Sequence, residues 1–267
     1  MDKIDSAAFE LREMDELAAM QSPVHSLHPL AKLFITIAYI FITVSFGKYE
    51  LSGLITMVLY PVFMFQLSGV PMQMCFHKLR FVMPLVCAVG LFNPFFDHSV
   101  AMQLGTVTIT GGIISMITLM LKGIFCLMAS FLLIATTSID SICSALRKLH
   151  VPSMITTLLL LTFRYVSVMI EEVSTMSTAY KLRAPGQKGI HFSAWGSFLG
   201  QLLLRSMDRA HELYESMLLR GFNGSFTYAD SQKAMSRDYI FTAAALSFFI
   251  LCRYVNIAEL IGSIAVR

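Results

Sequence analysis

Met217-Leu218-Leu219-Arg220-Gly221-Phe222-Asn223-Gly224 and Tyr180-Lys181-Leu182-Arg183-Ala184-Pro185-Gly186 read as two helix ends, each placing one arginine where the helix stops. Glycine supplies a left-handed cap, and a terminal arginine complements the helix dipole. Both ends lie in a polar segment, Ser138 to Asp238, set within an otherwise membrane-like chain. Val151-Pro152-Ser153 supplies a helix start. The helix is expected to run unbroken to Arg183, roughly 45 Å at about 1.5 Å per residue. Its first half, Met154 to Val168, is apolar apart from Arg164; its second half places Met169, Val173, Met176 and Tyr180 on one face. A second helix, Trp195 to Arg220, carries Leu203, Met207, Ala210, Leu213 and Met217 as one apolar stripe. Arg205 with Asp208 and Arg209 with Glu212 form i,i+3 pairs of opposite charge on its other faces. The two stripes are expected to pack on each other or lie along the membrane surface.

The rest of the chain is written for lipid. Of 267 residues, 56% are hydrophobic and 14% charged, against about 25% charged in soluble domains. A net charge of +3, with dispersed basic residues, gives no footprint for nucleic acid. Spanning helices need about 20 apolar residues. The candidates are Ala31 to Gly47, Leu51 to Ser68, Phe81 to Asp97, Gly112 to Thr137 and Tyr239 to Ile261. Pro84 and Pro94 interrupt the third, Lys122 the fourth and Arg253 the fifth, which predicts a compact bundle whose neighbours shelter these positions.

Lysine and arginine are retained on the cytoplasmic side of a membrane. Ser138 to Asp238 carries eleven of them, and His98 to Gly111 none. With five alternating helices, Lys78 and Arg80, and Lys3, Arg12 and Lys32 at the start, fall on the side of the rich segment; Lys48 is the loop exception. The N-terminus is therefore expected inside and the C-terminus outside. Residues 1 to 20 hold six acids, the reverse of a secretory leader. Within the outer loop, Gln103 to Thr110 alternates small polar and β-branched residues and predicts a short hairpin.

Chemistry-bearing residues are sparse. Cys75, Cys87, Cys126, Cys143 and Cys252 form no C-x-x-C pair and read as small buried hydrophobes. His25 and His28 are three apart, but Pro23 and Pro29 flank them and argue against a helical metal pair. Lys122 and Arg253 are expected to serve structure, pairing within the bundle with Glu259 as a candidate partner, or snorkelling to an interface. No phosphate-binding G-x-x-x-x-G-K-[ST], H-E-x-x-H or G-x-S-x-G motif occurs, so the chain reads as non-catalytic, with no cofactor and no metal site. Eighteen methionines permit either adaptable surfaces or ordinary core filling.

Several stretches together resemble the transmembrane T component of energy-coupling factor transporters, in its cobalt-type branch, CbiQ. They are Ser22-Pro23-Val24-His25-Ser26-Leu27-His28-Pro29-Leu30-Ala31-Lys32, Asn93-Pro94, Leu146-Arg147-Lys148-Leu149-His150-Val151-Pro152, Leu161-Thr162-Phe163-Arg164-Tyr165 and Glu171-Glu172. To these are added Leu203-Leu204-Arg205-Ser206-Met207-Asp208-Arg209-Ala210 and Ser216-Met217-Leu218-Leu219-Arg220-Gly221-Phe222, with Arg205 to Phe222 the most specific part. The resemblance implies a subunit of a bacterial or archaeal cell membrane that ties two cytoplasmic ATP-binding-cassette ATPases to a membrane-embedded substrate-capture subunit. It also implies that Leu182-Arg183-Ala184 and Leu219-Arg220-Gly221 are the ATPase contacts. Leucine stands here where the family has a leading alanine, and Ala184-Pro185 where the first motif has glycine.

The expected whole is an all-α polytopic bundle of about five spans with a cytoplasmic coupling module of two long amphipathic helices. Its divisions are residues 1–30 as a cytoplasmic N-terminal segment, 31–137 as the first bundle, 138–238 as the module and 239–267 as a last span. The expected function is to pass ATPase motion to a capture subunit for cobalt or nickel ion. The alternatives are service to vitamin-capture subunits, or a stand-alone carrier or channel.

Overall fold

A computed structural model describes residues 3–96, 100–104, 107–186, 189–224 and 235–254. In chain order they form α1 (Lys3–Ala18), α2 (Pro29–Ser45), α3 (Leu51–Thr56), α4 (Leu59–Ser68), α5 (Met72–Phe96), β1 (Val100–Leu104), β2 (Val107–Thr110), α6 (Gly111–Thr136), α7 (Ile139–Lys148), α8 (Ser153–Arg183), a 3-10 turn (Phe192–Ala194), α9 (Trp195–Leu219) and α10 (Ser236–Tyr254). The chain divides into two compact units, one of residues 1–16 with 139–230, the other of 17–138 with 231–267.

The second unit is a helical bundle with helix lengths and hydropathy suited to a membrane. Leu51–Ser68, Met72–Asn93 and Gly111–Thr136 are long and apolar enough to cross, and α2 is a shorter apolar helix. Ser153–Arg183 in the other unit also qualifies by length and composition, a consequence of its apolar first half. The chain is thus a multi-pass membrane protein. The expected last span coincides with α10 as far as Tyr254; its continuation to Ile261 lies outside the described residues, as does Glu259. The expected hairpin is present as an antiparallel pair, with Met102 opposite Ile109 and Leu104 opposite Val107.

Leu51 to Ser68, expected as one helix, is broken between α3 and α4. Pro61 has no N–H to give to the Met57 carbonyl four residues back, and its ring crowds that oxygen. Tyr39 takes up the freed acceptor, its hydroxyl donating to Met57 O at 3.0 Å. The Tyr39 ring then packs with Tyr60 and Phe249, centroids 4.7 and 5.3 Å away, joining α2, α4 and α10. Asn93 gives the Asn-Pro pair a purpose, donating from Nδ2 to Ser115 Oγ on α6 at 3.2 Å.

Helices α2 and α6 run antiparallel, tied at both ends by lysines. At one end Lys32 Nζ donates to Thr136 O, the last residue of α6, at 2.7 Å and to His25 O at 3.3 Å. At the other, Lys122 Nζ donates to Val44 O at 3.2 Å and to Phe46 O, and Arg253 donates to Ser45 O at 3.4 Å. Each cation sits where a helix presents unpaired carbonyls and the negative end of its dipole. Arg253 also pairs with Glu50 at 2.7 Å and lies over the Phe46 ring. Glu50 is thus a partner of Arg253, brought across about two hundred residues of sequence by the bend after α2.

The Ser22 to Lys32 stretch is a latch. His25 Nε2 lies 3.0 Å from Leu17 O, a group that only accepts, so Nε2 carries the proton and Nδ1 accepts from Ser22 Oγ at 2.7 Å. Burial holds the His25 imidazole below its ordinary pKa, in keeping with that neutral form. His28 caps α2, its Nδ1 accepting from Leu30 N at 3.1 Å, with Pro29 at the first helical position. Buried Asp238 accepts from His28 N at 3.3 Å and from Met235 N at 2.9 Å, and Arg237 donates to Ser26 Oγ at 2.6 Å.

In the other unit, α7 ends in a paired cap: His150 N to Arg147 O at 3.0 Å and Val151 N to Leu146 O at 3.2 Å. The position between these bonds must turn left-handed, and His150 does so at φ +64°. His150→Gly is therefore expected to stabilise this unit by about 1 kcal/mol. Thermal unfolding in detergent checks this; a lowered midpoint would contradict it. All five cysteines are free, with Cys75, Cys143 and Cys252 buried. Burial raises the Cys143 thiol above its ordinary pKa, so it packs as a neutral group.

Candidate functional site

The two long helices α8 and α9 form an antiparallel pair whose register follows from three contacts. Arg205 donates to Glu172 across the pair. The His191 N–H, just before α9, donates to the Tyr180 hydroxyl at 3.3 Å. Between them and the other end, Leu161, Tyr165 and Met169 of α8 face Ala210, Leu213 and Met217 of α9 across an apolar groove of about 340 Å³. A residue late in α8 therefore faces one early in α9.

That register puts the two arginine ends at opposite extremes. Arg183 closes α8 beside the start of α9, and Arg220 follows the last residue of α9. The 25 residues of α9 set them on the order of 35 Å apart. Both are solvent-exposed. Neither guanidinium has a hydrogen-bond or ion-pair partner among the described residues, whereas Arg12 is bound to Glu171 at 3.3 Å and Arg205 to Glu172. Beside each arginine a leucine stands in water, Leu182 80% and Leu219 90% exposed. Ala184 is the C-cap residue of α8 and Gly221 follows the C-cap of α9. The six residues singled out in the sequence thus form two small surfaces, exposed but for the half-buried Ala184, each offering one planar cation without a partner among the described residues and one bare aliphatic side chain. Such a surface suits a groove lined by carboxylates or carbonyls.

The stripe expected on α9 is only half engaged. Ala210, Leu213 and Met217 line the groove with α8, while Leu203 and Met207 are exposed. The apolar groove with α8 covers the second half of α9, so the same periodicity continues past the apolar contact. The i,i+3 pairing of Arg205 with Asp208 is replaced by the bond to Glu172, because the facing helix offers a carboxylate in extended reach. Asp208, Arg209 and Glu212 line a polar recess with Glu172 and Arg205. Sequence reading missed this cross-helix pair; the adjacent Glu171-Glu172 was its available signal, one carboxylate taking Arg12 and the other Arg205. Among the described residues no cluster of His, Cys, Asp or Glu is arranged to hold a metal ion.

A family model described as cobalt transport protein, CbiQ, matches residues 20–231. The uncharacterized protein MJ1571 of Methanocaldococcus jannaschii is 26% identical over 66% of this chain and 63% of its own length. The nickel permease LarQ of Lactiplantibacillus plantarum is 28% identical over 43% of this chain and 42% of its own. The energy-coupling factor transporter transmembrane protein EcfT of Limosilactobacillus fermentum is 26% identical over 76% and 81%. The chain thus spans less than two thirds of the length of the first two relatives.

Proposed function

Because the chain belongs to the CbiQ family of cobalt transport proteins, we propose that it is the transmembrane coupling subunit of an energy-coupling factor importer. Residues 31–137 and 239–267 supply the membrane bundle, with residues 1–30 and the coupling module of residues 138–238 on the cytoplasmic side. Leu182-Arg183-Ala184 and Leu219-Arg220-Gly221 seat in two ABC ATPases, and the helix pair passes their motion to a membrane-embedded capture subunit. The observation that carries this reading is the pair of arginines, neither with a partner among the described residues, at opposite, exposed ends of one antiparallel helix pair. One contact would need one such end; two ends on the order of 35 Å apart suit two separate soluble subunits. The cargo is cobalt or nickel ion, a reading supported by the family match and by the relative named as a nickel permease.

The mechanism requires no chemistry from this chain. Hydrolysis belongs to the ATPases; closure of that pair displaces Arg183 and Arg220 relative to each other, and α8 and α9 shift as rigid rods against a short apolar contact. Reconstitution tests the assignment. Liposomes holding the purified chain alone are expected to take up neither radiolabelled cobalt nor nickel, and to gain ATP-dependent uptake when the ATPases and a capture subunit are added. Uptake by the chain alone would establish the stand-alone carrier instead, and ATP-dependent delivery of a vitamin without either metal would reassign the cargo.

A further inference from the structure

Arg205 and Arg209 stand four residues apart on α9, one turn above the other on the same face. Both line the polar recess to which α8 contributes Glu172 and Met169. Glu172 holds Arg205, while Arg209 has neither a hydrogen bond nor an ion pair among the described residues. One carboxylate is thus faced by two guanidiniums, one engaged and one idle, separated by about 6 Å of helix rise.

The neighbouring apolar contact has the same four-residue step. Leu161, Tyr165 and Met169 line the groove against Ala210, Leu213 and Met217, and the half-buried Val173 continues their series. Moving α8 by one turn toward the C-terminal end of α9 puts Tyr165, Met169 and Val173 where Leu161, Tyr165 and Met169 now lie. The groove stays filled by side chains of the same kind, and the same movement carries Glu172 from Arg205 to Arg209. Polar and apolar contacts therefore fit at two registers and at none between them, as in a one-turn ratchet of one element past another.

We propose that α8 and α9 form a two-position slide: Glu172 exchanges Arg205 for Arg209 during transport, and Arg209 is the positioning residue that holds the second register. This rests on the coupling reading above. Arg183 closes α8 beside the start of α9, so the shift carries it about 6 Å toward Arg220. That is the direction in which a closing pair of ATPases would drive it. The exposed bond from His191 N to the Tyr180 hydroxyl is released as the helices slide.

Arg209 is exposed and idle in the present register, so Arg209→Gln is expected to leave thermal unfolding and ATPase co-purification unchanged. In liposomes holding the whole complex, it is expected to lower uptake per ATP hydrolysed by about fivefold, because one partly exposed ion pair is lost from the second register alone. Arg209→Lys keeps the cation and is expected to stay within about twofold of the parent. Adding Arg209→Gln to Glu172→Gln is expected to change nothing beyond Glu172→Gln, since both remove the same bond. Arg12→Gln removes the exposed pair with Glu171, next to Glu172 on α8, and is expected to leave uptake per ATP within about twofold. Full coupling in Arg209→Gln would make Glu172 and Arg205 a fixed pin and overturn the slide. So would an equal loss in Arg12→Gln, or a further loss on adding Arg209→Gln to Glu172→Gln, which would place Arg209 against another subunit. These results leave the coupling role standing, whereas normal ATPase binding and uptake in Arg183→Ala/Arg220→Ala would overturn that role and the slide with it.

Discussion

Arg183→Ala combined with Arg220→Ala is expected to weaken co-purification of the ATPases by at least about a hundredfold and to abolish coupled uptake. A guanidinium seated in a groove makes charge-assisted, often bidentate bonds, and losing a desolvated pair of this kind costs about 2–5 kcal/mol at an interface. Two such losses on one rigid scaffold compound, because each contact raises the effective concentration of the other. The prediction is clean because neither side chain has a partner among the described residues of its own chain. Expression, membrane insertion and thermal unfolding of the isolated subunit should therefore match the parent. Size-exclusion of the detergent-solubilised complex measures the binding loss, and metal uptake by proteoliposomes measures the function. A double variant that keeps its ATPases and its uptake would refute the proposed contact.

Lys32→Met is expected to act in the opposite manner, damaging the fold without touching an ATPase contact. Lys32 is 6% exposed, and so is Asp238, whose charge acts on it. The ammonium ties the latch at His25 O to the end of α6 at Thr136 O. Removing it strands the buried Thr136 carbonyl and the half-buried one of His25, and leaves a buried carboxylate without its facing cation. Such losses cost about 3 kcal/mol in total. Lys122→Met should cost less, about 1 kcal/mol, because Arg253 still serves the end of α2 and Glu50 is still paired. Thermal denaturation in one detergent orders the two variants. If Lys32→Met proves no more damaging than Lys122→Met, the latch is not what holds the bundle.

The contrast between these residues shows what could be read in advance. Arg183 and Arg220 were legible because helix termination is local: an arginine, a small residue and a glycine within a few positions state where the helix stops. Lys32 and Lys122 were visible as charges in apolar runs, and the retention rule for basic residues placed Lys32 among the topology markers. The structure gives it a packing role as well, which the sequence did not show, since the acceptor at Thr136 lies a hundred residues away. Pro61 could have been read as a break in Leu51 to Ser68, yet the hydroxyl that makes the break tolerable comes from Tyr39 on another helix. The engaged half of the α9 stripe and its exposed half share one periodicity, so nothing within that helix distinguishes them.

Helix content, apolar spans and the two arginine ends followed from the sequence alone, because hydropathy, helical period and capping act over fewer than about five residues or along a single helix. The antiparallel register that sends the arginines to opposite extremes and the pairing of Arg253 with Glu50 were decided only by the tertiary structure. Each depends on which distant hydroxyl or carboxylate comes within hydrogen-bond reach, which the chain acquires only on folding.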